Sequence, residues 1–259
     1  MTGLISVITP FYAPTATHVR ATYESLSSQA LPDSWEWEWV IQEDGTAGAA
    51  QELLPADDRV RIGGGRPGGV ALTRNLALAR SRGSLIRNLD QDDILLPGAL
   101  TRDVTTLATH PAVGWVTSGV LDLLPDGSTV GFDGAPEPGE LAPGVVFEHW
   151  RRHDFRLPVH PTSLCIRRWL AVALGGWMAV PGSDDTGLLI AASVVSTGYF
   201  QPEVGLLYRK WDGQESAGAA HREPTEWKLR MSLIQERAES LTTLWGHCRS
   251  PGSADTCAG

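Results

Sequence analysis

Asp90-Gln91-Asp92-Asp93 closes the short apolar run LIRNL and stands just before ILLPGAL. Three carboxylates within four residues repel one another unless a cation sits among them, and a strand end cannot spread them as a solvated tail would. A divalent metal is the expected guest. Asp90 and Asp92, one residue apart, can both turn toward it from a strand end. Mg²⁺ or Mn²⁺ held by one or two carboxylates, with phosphate oxygens and water in the remaining positions, neutralises a departing diphosphate. A second acidic pair, Asp184-Asp185, follows GGWMAVPGS and opens the helical run TGLLIAASVV. Aspartates at a helix start are ordinarily caps, so a cap and a catalytic acid are both open at this pair.

A different chemistry competes at the glycine-rich turn. Gly63, Gly65 and Gly68 match G-x-G-x-x-G between the strand RVRI and the helix VALTRNLALARS, and Asp90 lies 22 residues past Gly68, where a nicotinamide ribose would find its acid. That pattern gives an NAD-dependent dehydrogenase as an alternative. Against it, Pro67 removes a backbone N–H from the loop that would cradle pyrophosphate, and two strands already precede the motif. Two further alternatives share the metal carboxylates. A nucleotidyltransferase would release pyrophosphate from a nucleoside triphosphate, and a non-catalytic sugar-nucleotide-binding protein would need no base.

The elements that must carry these groups alternate in period. LISVITPFY reads as a buried strand, and THVRATYESLSSQ puts Val19, Tyr23 and Leu26 on one helical face. WEWEWVIQ alternates Trp35, Trp37 and Trp39 with Glu36 and Glu38 before turning at Asp44-Gly45. A short helix through Leu53-Leu54, the strand RVRI, the glycine-rich turn, a helix with Leu72, Leu76 and Ala79 on one side, and the strand LIRNL follow. Strands alternating with helices at this spacing mean a parallel sheet in an α/β fold. Ligands of such sheets bind beyond the carboxyl ends of the strands. One cleft there collects Pro10-Phe11-Tyr12, Glu43-Asp44-Gly45, Gly63 to Gly69 and the acidic cluster.

The second half is less regular. WVTSGVLDLL, the turn Pro125-Asp126-Gly127 and STVGF read as a hairpin, and GAPEPGELAPG as a loop over the cleft. A helix VVFEHWRRH and a strand TSLCIRR come next. Near the end, Trp227, Met231, Ile234, Ala238, Leu241 and Trp245 recur at alternating spacings of four and three, the stripe of a helix docked by one apolar face.

At 259 residues and 42% hydrophobic side chains the chain can bury a full core. Its net charge of -9 argues against nucleic acid as a partner, since phosphate backbones are bound largely through Lys and Arg. The N-terminus has no basic leader, and no apolar run approaches the ~20 residues needed to span a bilayer. Three cysteines form no even framework and no metal-ligand spacing, as expected of free thiols in a reducing cytoplasm.

ISVITPFY, VIQEDGT, the segment from GGVALTRN to DQDDILLPGAL, and GGWMAVPGSDDTGLL resemble, in order and spacing, family-2 glycosyltransferases, over roughly residues 4 to 215. The resemblance implies a GT-A fold: α/β, with a Rossmann-like, mostly parallel central sheet flanked by helices and a C-terminal acceptor-side region. It implies a metal-dependent inverting transfer from a nucleoside-diphosphate sugar, of the UDP or dTDP type, to a hydroxyl or amine of a soluble acceptor such as a natural-product scaffold or saccharide. Residue by residue, Pro10 and Tyr12 would line the base and ribose pocket, Asp44 would bind the base edge, and Glu43 is its weaker neighbour. Arg74, beside Asn75, would lie near the nucleotide. Asp92 would be the direct metal ligand, with Asp90 also at the metal or nearer the sugar, Gln91 between them, and Asp93 bonded to backbone. Asp185 would be the general base and Asp184 a participant or a cap. Trp211 stands where many members have a histidine near the metal, so water, or Arg209 and Lys210, would make up for it. His160 could face the acceptor or be structural, and Trp177, after Gly175-Gly176, suits a sugar-stacking platform.

The expected organisation is a nucleotide-sugar half over 1–109, an acceptor-side half with the base over 110–223, a docking helix over 224–246 and a disordered tail over 247–259. Oligomeric state is left open, a homodimer included.

Overall fold

The computed structural model describes residues 3–46, 48–214 and 223–249, with side chains as far as Trp245. Strands and helices alternate through the first part: β1 (Gly3–Phe11), α1 (Val19–Ser27), β2 (Trp35–Glu43), α2 (Ala49–Leu53), β3 (Val60–Gly64), α3 (Gly69–Arg80) and β4 (Leu85–Asn88). There follow β5 (Ile94–Leu95), α4 (Ala99–Thr109), β6 (Val113–Leu123), β7 (Thr129–Val130), β8 (Gly139–Leu141), α5 (Val145–Arg152), β9 (Cys165–Arg167), α6 (Arg168–Ala173), α7 (Asp184–Val195), β10 (Thr197–Arg209) and α8 (Pro224–Arg249).

The pleat sorts the apolar residues onto two faces of one sheet. Ile5 and Val7 of β1 join Trp37, Trp39 and Ile41 of β2 in one core cluster, while Ile8 and Val40 point into the other. The three tryptophans of β2 are therefore packing groups. The Trp39 indole N–H donates to Thr9 Oγ1 at 2.7 Å, so its burial leaves no polar atom stranded. Glu38, on the opposite face, is buried but accepts from Ser6 Oγ, the Arg82 backbone N–H and the Arg82 and Arg61 side chains.

The sheet runs β3-β2-β1-β4-β9-β6-β10-β5, with β7 paired to β6 and β8 to β10. The pairs among β3, β2, β1 and β4 are parallel, as is β6 with β10, and the short β9 joins these two sets with antiparallel pairing on both sides. Register brings the functional strand ends level. Phe11 faces Glu43, Ile8 faces Asn88, and the chain leaving β4 therefore sets Asp90 beside the Pro10 turn.

Three readings of the second half change. The hairpin exists, but its return strand is only Thr129–Val130. The segment read as a loop over the cleft instead supplies β8, which pairs antiparallel with β10. β10 has 13 residues and was hidden by Gly198, Pro202 and Gly205. The strand absorbs these breakers through register shifts between Gln201 and Leu206. Helix α7 is almost wholly buried, and α8 lays Met231, Ile234 and Ala238 into the same core cluster. That helix runs on to Arg249, three residues past the expected limit, and residues 250–259 lie outside the described part. Among the described residues no helix is long and apolar enough to cross a membrane.

Candidate active site

A cleft of about 740 Å³ opens at the carboxyl ends of β1, β2 and β4. Of the residues picked out in the sequence, Pro10, Tyr12, Asp44, Arg74, Asp90, Gln91, Asp92, His160, Asp184 and Asp185 line it, although they are drawn from opposite ends of the chain.

Arg74 ties the two acidic motifs together. It projects from α3, is almost fully buried, and donates through Nη2 to Asp90 at 2.6 Å and through Nη1 to Asp184 at 2.8 Å. Burial alone would lower its pKa, but the charges of Asp90, Asp184 and Asp185 raise it well above the usual arginine value. Asp184 is thus an ion-pair partner, and Ser183 occupies the position before the first turn of α7. Ser183 holds φ at +60°, a left-handed conformation uncommon for a residue with a side chain. The turn delivers Asp185 into the cleft beside this pair. Burial, then the neighbouring Asp184 charge, pushes the Asp185 carboxyl up to about 6, with Arg74 opposing. A carboxylate poised there can take a proton near neutral pH.

Each member of the acidic cluster has its own partner. Asp92 Oδ2 accepts from the Trp211 indole N–H at 2.7 Å, and the Arg209 Nε donates to the Asp92 carbonyl at 2.8 Å. Burial raises the Asp92 carboxyl, Trp211 opposes that shift and the Asp90 charge adds to it. Asp93 faces away from the cleft, accepting from the Arg209 backbone N–H and from Thr162 Oγ1. Lys210 pairs with Asp122 and lies over the Tyr208 ring. The cation expected from sequence at Lys210 is therefore engaged elsewhere. Glu215 and Ser216, also in that segment, lie outside the described residues.

Gln91 works on the protein itself. Its amide accepts from the Tyr12 N–H and donates to the Tyr12 carbonyl and Thr15 Oγ1, pinning the first turn against the acidic cluster. Asp44 accepts from the backbone N–H groups of Gly68 and Gly69, at 2.7 Å for the first. Those are the donors a pyrophosphate would need in the dehydrogenase reading. Of the glycine-rich turn only Gly69 reaches the cleft. His160 accepts from the Thr162 N–H through Nδ1, stacks near Tyr208, and is kept neutral as burial lowers its pKa to about 4.

Two candidates are not brought to the cleft lining. Glu43 is buried beneath the cleft, where its carboxylate accepts from the Gly48 and Ala50 N–H groups and so fixes the start of α2. Trp177 is a core residue, 3% exposed, whose backbone is held on both sides by the Asn75 amide. The cleft wall also includes Phe155 and Leu157, which no motif marked, and Tyr208 and Trp211 of the segment in which Trp211 replaces a histidine.

A divalent ion fits this donor set in one way. Among the described residues no three His, Cys, Asp or Glu side chains stand close enough to hold an ion by themselves. Asp92 keeps one oxygen and Asp90 one oxygen without a partner among those residues, both hard donors at the cleft. One or two carboxylates suffice where phosphate oxygens complete the shell.

No curated protein matches the chain in sequence. The structure of Staphylococcus aureus TarS residues 1–349 in complex with UDP-GlcNAc superimposes with a TM-score of 0.70 at 15% identity, over 95% of this chain and 72% of that one. Its complex with UDP gives a TM-score of 0.66 at 14% identity, over 95% and 71%. Against a longer TarS structure the TM-score is again 0.66, and this chain spans 43% of it. At such identities the likeness is one of fold. In sequence, the family described as glycosyl transferase family 2 matches residues 6–124, the stretch from β1 to the end of β6 that carries Asp44, Arg74 and the acidic cluster. Residues 6–124 thus match the family-2 glycosyltransferase model in sequence, within a GT-A fold that extends over the rest of the described chain.

Proposed function

We propose that this glycosyltransferase moves a sugar from a nucleoside-diphosphate sugar to a hydroxyl or amine of a soluble acceptor, in a single in-line displacement that inverts the anomeric carbon. The observation that carries the reading is the Arg74 bridge. One buried guanidinium holds Asp90 of the Asp-x-Asp and Asp184 beside Asp185 in a common cleft, so donor and base elements belong to one site.

In this reading Pro10 and Tyr12 border the base and ribose, with Asp44 at the far wall. Asp92, oriented by Trp211, and Asp90 would hold Mg²⁺ or Mn²⁺, which when bound supplies positive charge to the diphosphate. Asp185 takes the acceptor's proton as the oxygen attacks; an acceptor hydroxyl is a poor nucleophile until that proton is removed, and a positioned carboxylate contributes about 10²–10⁴-fold. Arg74 holds Asp184 in place through its hydrogen bond, so the Asp185 turn stays aligned with the donor side. Uridine is the first donor base to try, because two of the TarS structures of this fold are complexes with UDP-GlcNAc and with UDP. Dimerisation and a cytoplasmic setting are compatible with this reading.

The test is a thermal-shift panel of UDP, dTDP, GDP and NAD, each with and without Mn²⁺, on wild type and Asp92→Ala. Ligand at a hundredfold excess over Kd adds about 2.7 kcal/mol, which for a chain of this size raises Tm by roughly 5–11 °C. A Mn²⁺-dependent shift with one nucleoside diphosphate, lost in Asp92→Ala, is the expected result. A metal-independent shift with NAD alone refutes the reading.

A further inference from the structure

Phe155 follows helix α5 in a conformation its side chain does not favour. It has φ at +61° and the preceding Asp154 has φ at +49°, two consecutive left-handed residues neither of which is glycine. For a bulky aromatic residue this is an outlier, and such strain persists only where the surroundings impose it. Here they do. The Phe155 N–H donates to the Trp150 carbonyl at 2.9 Å, and the ring packs at steep angles against two indoles, Trp150 at 4.7 Å and 61° and Trp227 of α8 at 5.5 Å and 75°. Trp150 is fully buried, whereas Phe155 is half-buried and lines the cleft with Leu157. The fold therefore presents an apolar ring at the wall of the cavity that also contains Asp185.

The charge of the cleft narrows what that ring can meet. Asp44, Asp90, Asp92, Asp184 and Asp185 line it against a single cation, Arg74, and Arg74 is already shared between Asp90 and Asp184. A carboxylate or phosphate on an acceptor would find no free cation among these lining residues and several like charges.

We propose that Phe155, with Leu157 beside it, is the platform of the acceptor subsite, and that the acceptor is an uncharged ring laid flat on it with a hydroxyl at its edge toward Asp185. This rests on the transferase reading above. An aromatic ring and the C–H face of a pyranose offer the same apolar surface, edged by groups free to hydrogen-bond.

The experiment titrates phenol, methyl β-D-glucopyranoside, phenyl β-D-glucopyranoside and the anionic phenyl β-D-glucuronide into the protein, with and without UDP and Mn²⁺, by saturation-transfer NMR. The proteins are wild type, Phe155→Gly, Phe155→Tyr and Leu157→Ala. Glycine suits the left-handed backbone, and tyrosine keeps the ring. Phe155→Gly should weaken neutral ring binding about five- to tenfold, as expected for loss of one aromatic face. Phe155→Tyr should restore it, and the loss should exceed any change in the UDP thermal shift. Binding of phenol but not methyl glucoside assigns an aromatic acceptor, and comparable binding of methyl glucoside assigns a saccharide. The proposal is overturned if no neutral ring binds wild type, if Phe155→Gly binds as wild type does, or if the glucuronide binds as tightly as the glucoside. Absence of any UDP shift sinks the transferase reading separately, while the titrations without nucleotide still decide the platform.

Discussion

Replacing Arg74 by methionine removes the guanidinium while keeping much of its apolar bulk, and the cost can be worked from burial. The Arg74 and Asp184 side chains are 5% and 3% exposed, so this pair lies in the regime where losing one partner leaves an uncompensated buried charge, about 3–5 kcal/mol. The Asp90 side chain is 24% exposed, and solvent screening limits its share to about 1 kcal/mol or less. Against a total stability of about 5–15 kcal/mol, Arg74→Met should lower Tm by roughly 6–20 °C at pH 7.5. The deficit should shrink with acid. Asp185, already pushed up to about 6 with Arg74 opposing, goes higher without the cation and binds its proton more readily in the folded than in the unfolded state, so stability rises as pH falls toward 5. Arg74→Met/Asp184→Leu, which exchanges the pair for apolar groups, should recover most of the loss. Urea unfolding followed by tryptophan fluorescence at pH 7.5 and pH 5 reads all three. A cost under about 1 kcal/mol, a deficit independent of pH, or a double variant no better than the single would refute the account of Arg74 as the strut between the acidic motifs.

Asp185, with its carboxyl pushed up to about 6, should make kcat/KM fall roughly tenfold per pH unit below that value, and Asp185→Asn should lower it by about 10²–10⁴-fold while the UDP thermal shift survives; a profile flat through pH 6 counts against this base. Mn²⁺ alone should leave Tm unchanged and should act only together with UDP, because among the described residues the carboxylates form no self-sufficient site. Trp211→Phe, by freeing Asp92 from its indole N–H, should weaken apparent Mn²⁺ affinity in the presence of UDP by about 10–100-fold, measured by Mn²⁺ titration of the thermal shift; unchanged affinity would remove Trp211 from the metal's surroundings. His160 stays neutral in the fold down to about pH 4 while the unfolded chain protonates near 6.5, so wild type loses stability over that window. His160→Gln should therefore gain about 2–3 kcal/mol relative to wild type between pH 7 and pH 4.5, and a constant difference by urea unfolding would contradict it.

Periodicity made the first half of the fold legible because its strands are buried on both faces and its helices on one. The apolar run of β1 and the tryptophan alternation of β2 each announce an element without help from elsewhere, whereas α3 forms where expected but buries Ala71, Ala77 and Leu78 instead of the Leu72-Leu76-Ala79 face. The second half lacks such signals for physical reasons. β10 carries two glycines and a proline, and at Pro202 and Gly205 it bulges against its parallel partner β6, which runs on regularly from Ser118 to Val120. β8 is three residues in a Pro/Gly-rich stretch and exists because β10 offers an edge. The site divides in the same way. Acidic pairs and the Arg-Asn of α3 are legible as residue types that need a reason to cluster. Trp177 and Phe155 are not, because which aromatic ring reaches the cleft depends on Asn75 holding one backbone inward and on two indoles gripping the other ring.

The acidic cluster led from sequence to a cation by electrostatics alone, and the structure meets part of that demand from within. Asp90 has Arg74, Asp92 has the Trp211 N–H with Arg209 at its carbonyl, and Asp93 has a backbone N–H and a hydroxyl. A chain organised this way can fold without a divalent ion, since no carboxylate of the cluster is left buried without a partner. The oxygens it leaves open, one on Asp90 and one on Asp92, belong to residues that line the cleft. In the proposed reading metal affinity would be created largely by the donor, because each phosphate oxygen would add a ligand that the protein does not supply. The tryptophan in place of a histidine sharpens this coupling. A histidine would add a third protein ligand and let the ion bind first, whereas an indole N–H can only orient Asp92. It follows that a Trp211→His variant should bind Mn²⁺ measurably in the absence of UDP, seen as a thermal shift with metal alone. If it does not, the indole is a packing group, and the ordering of metal and donor must be set by other residues.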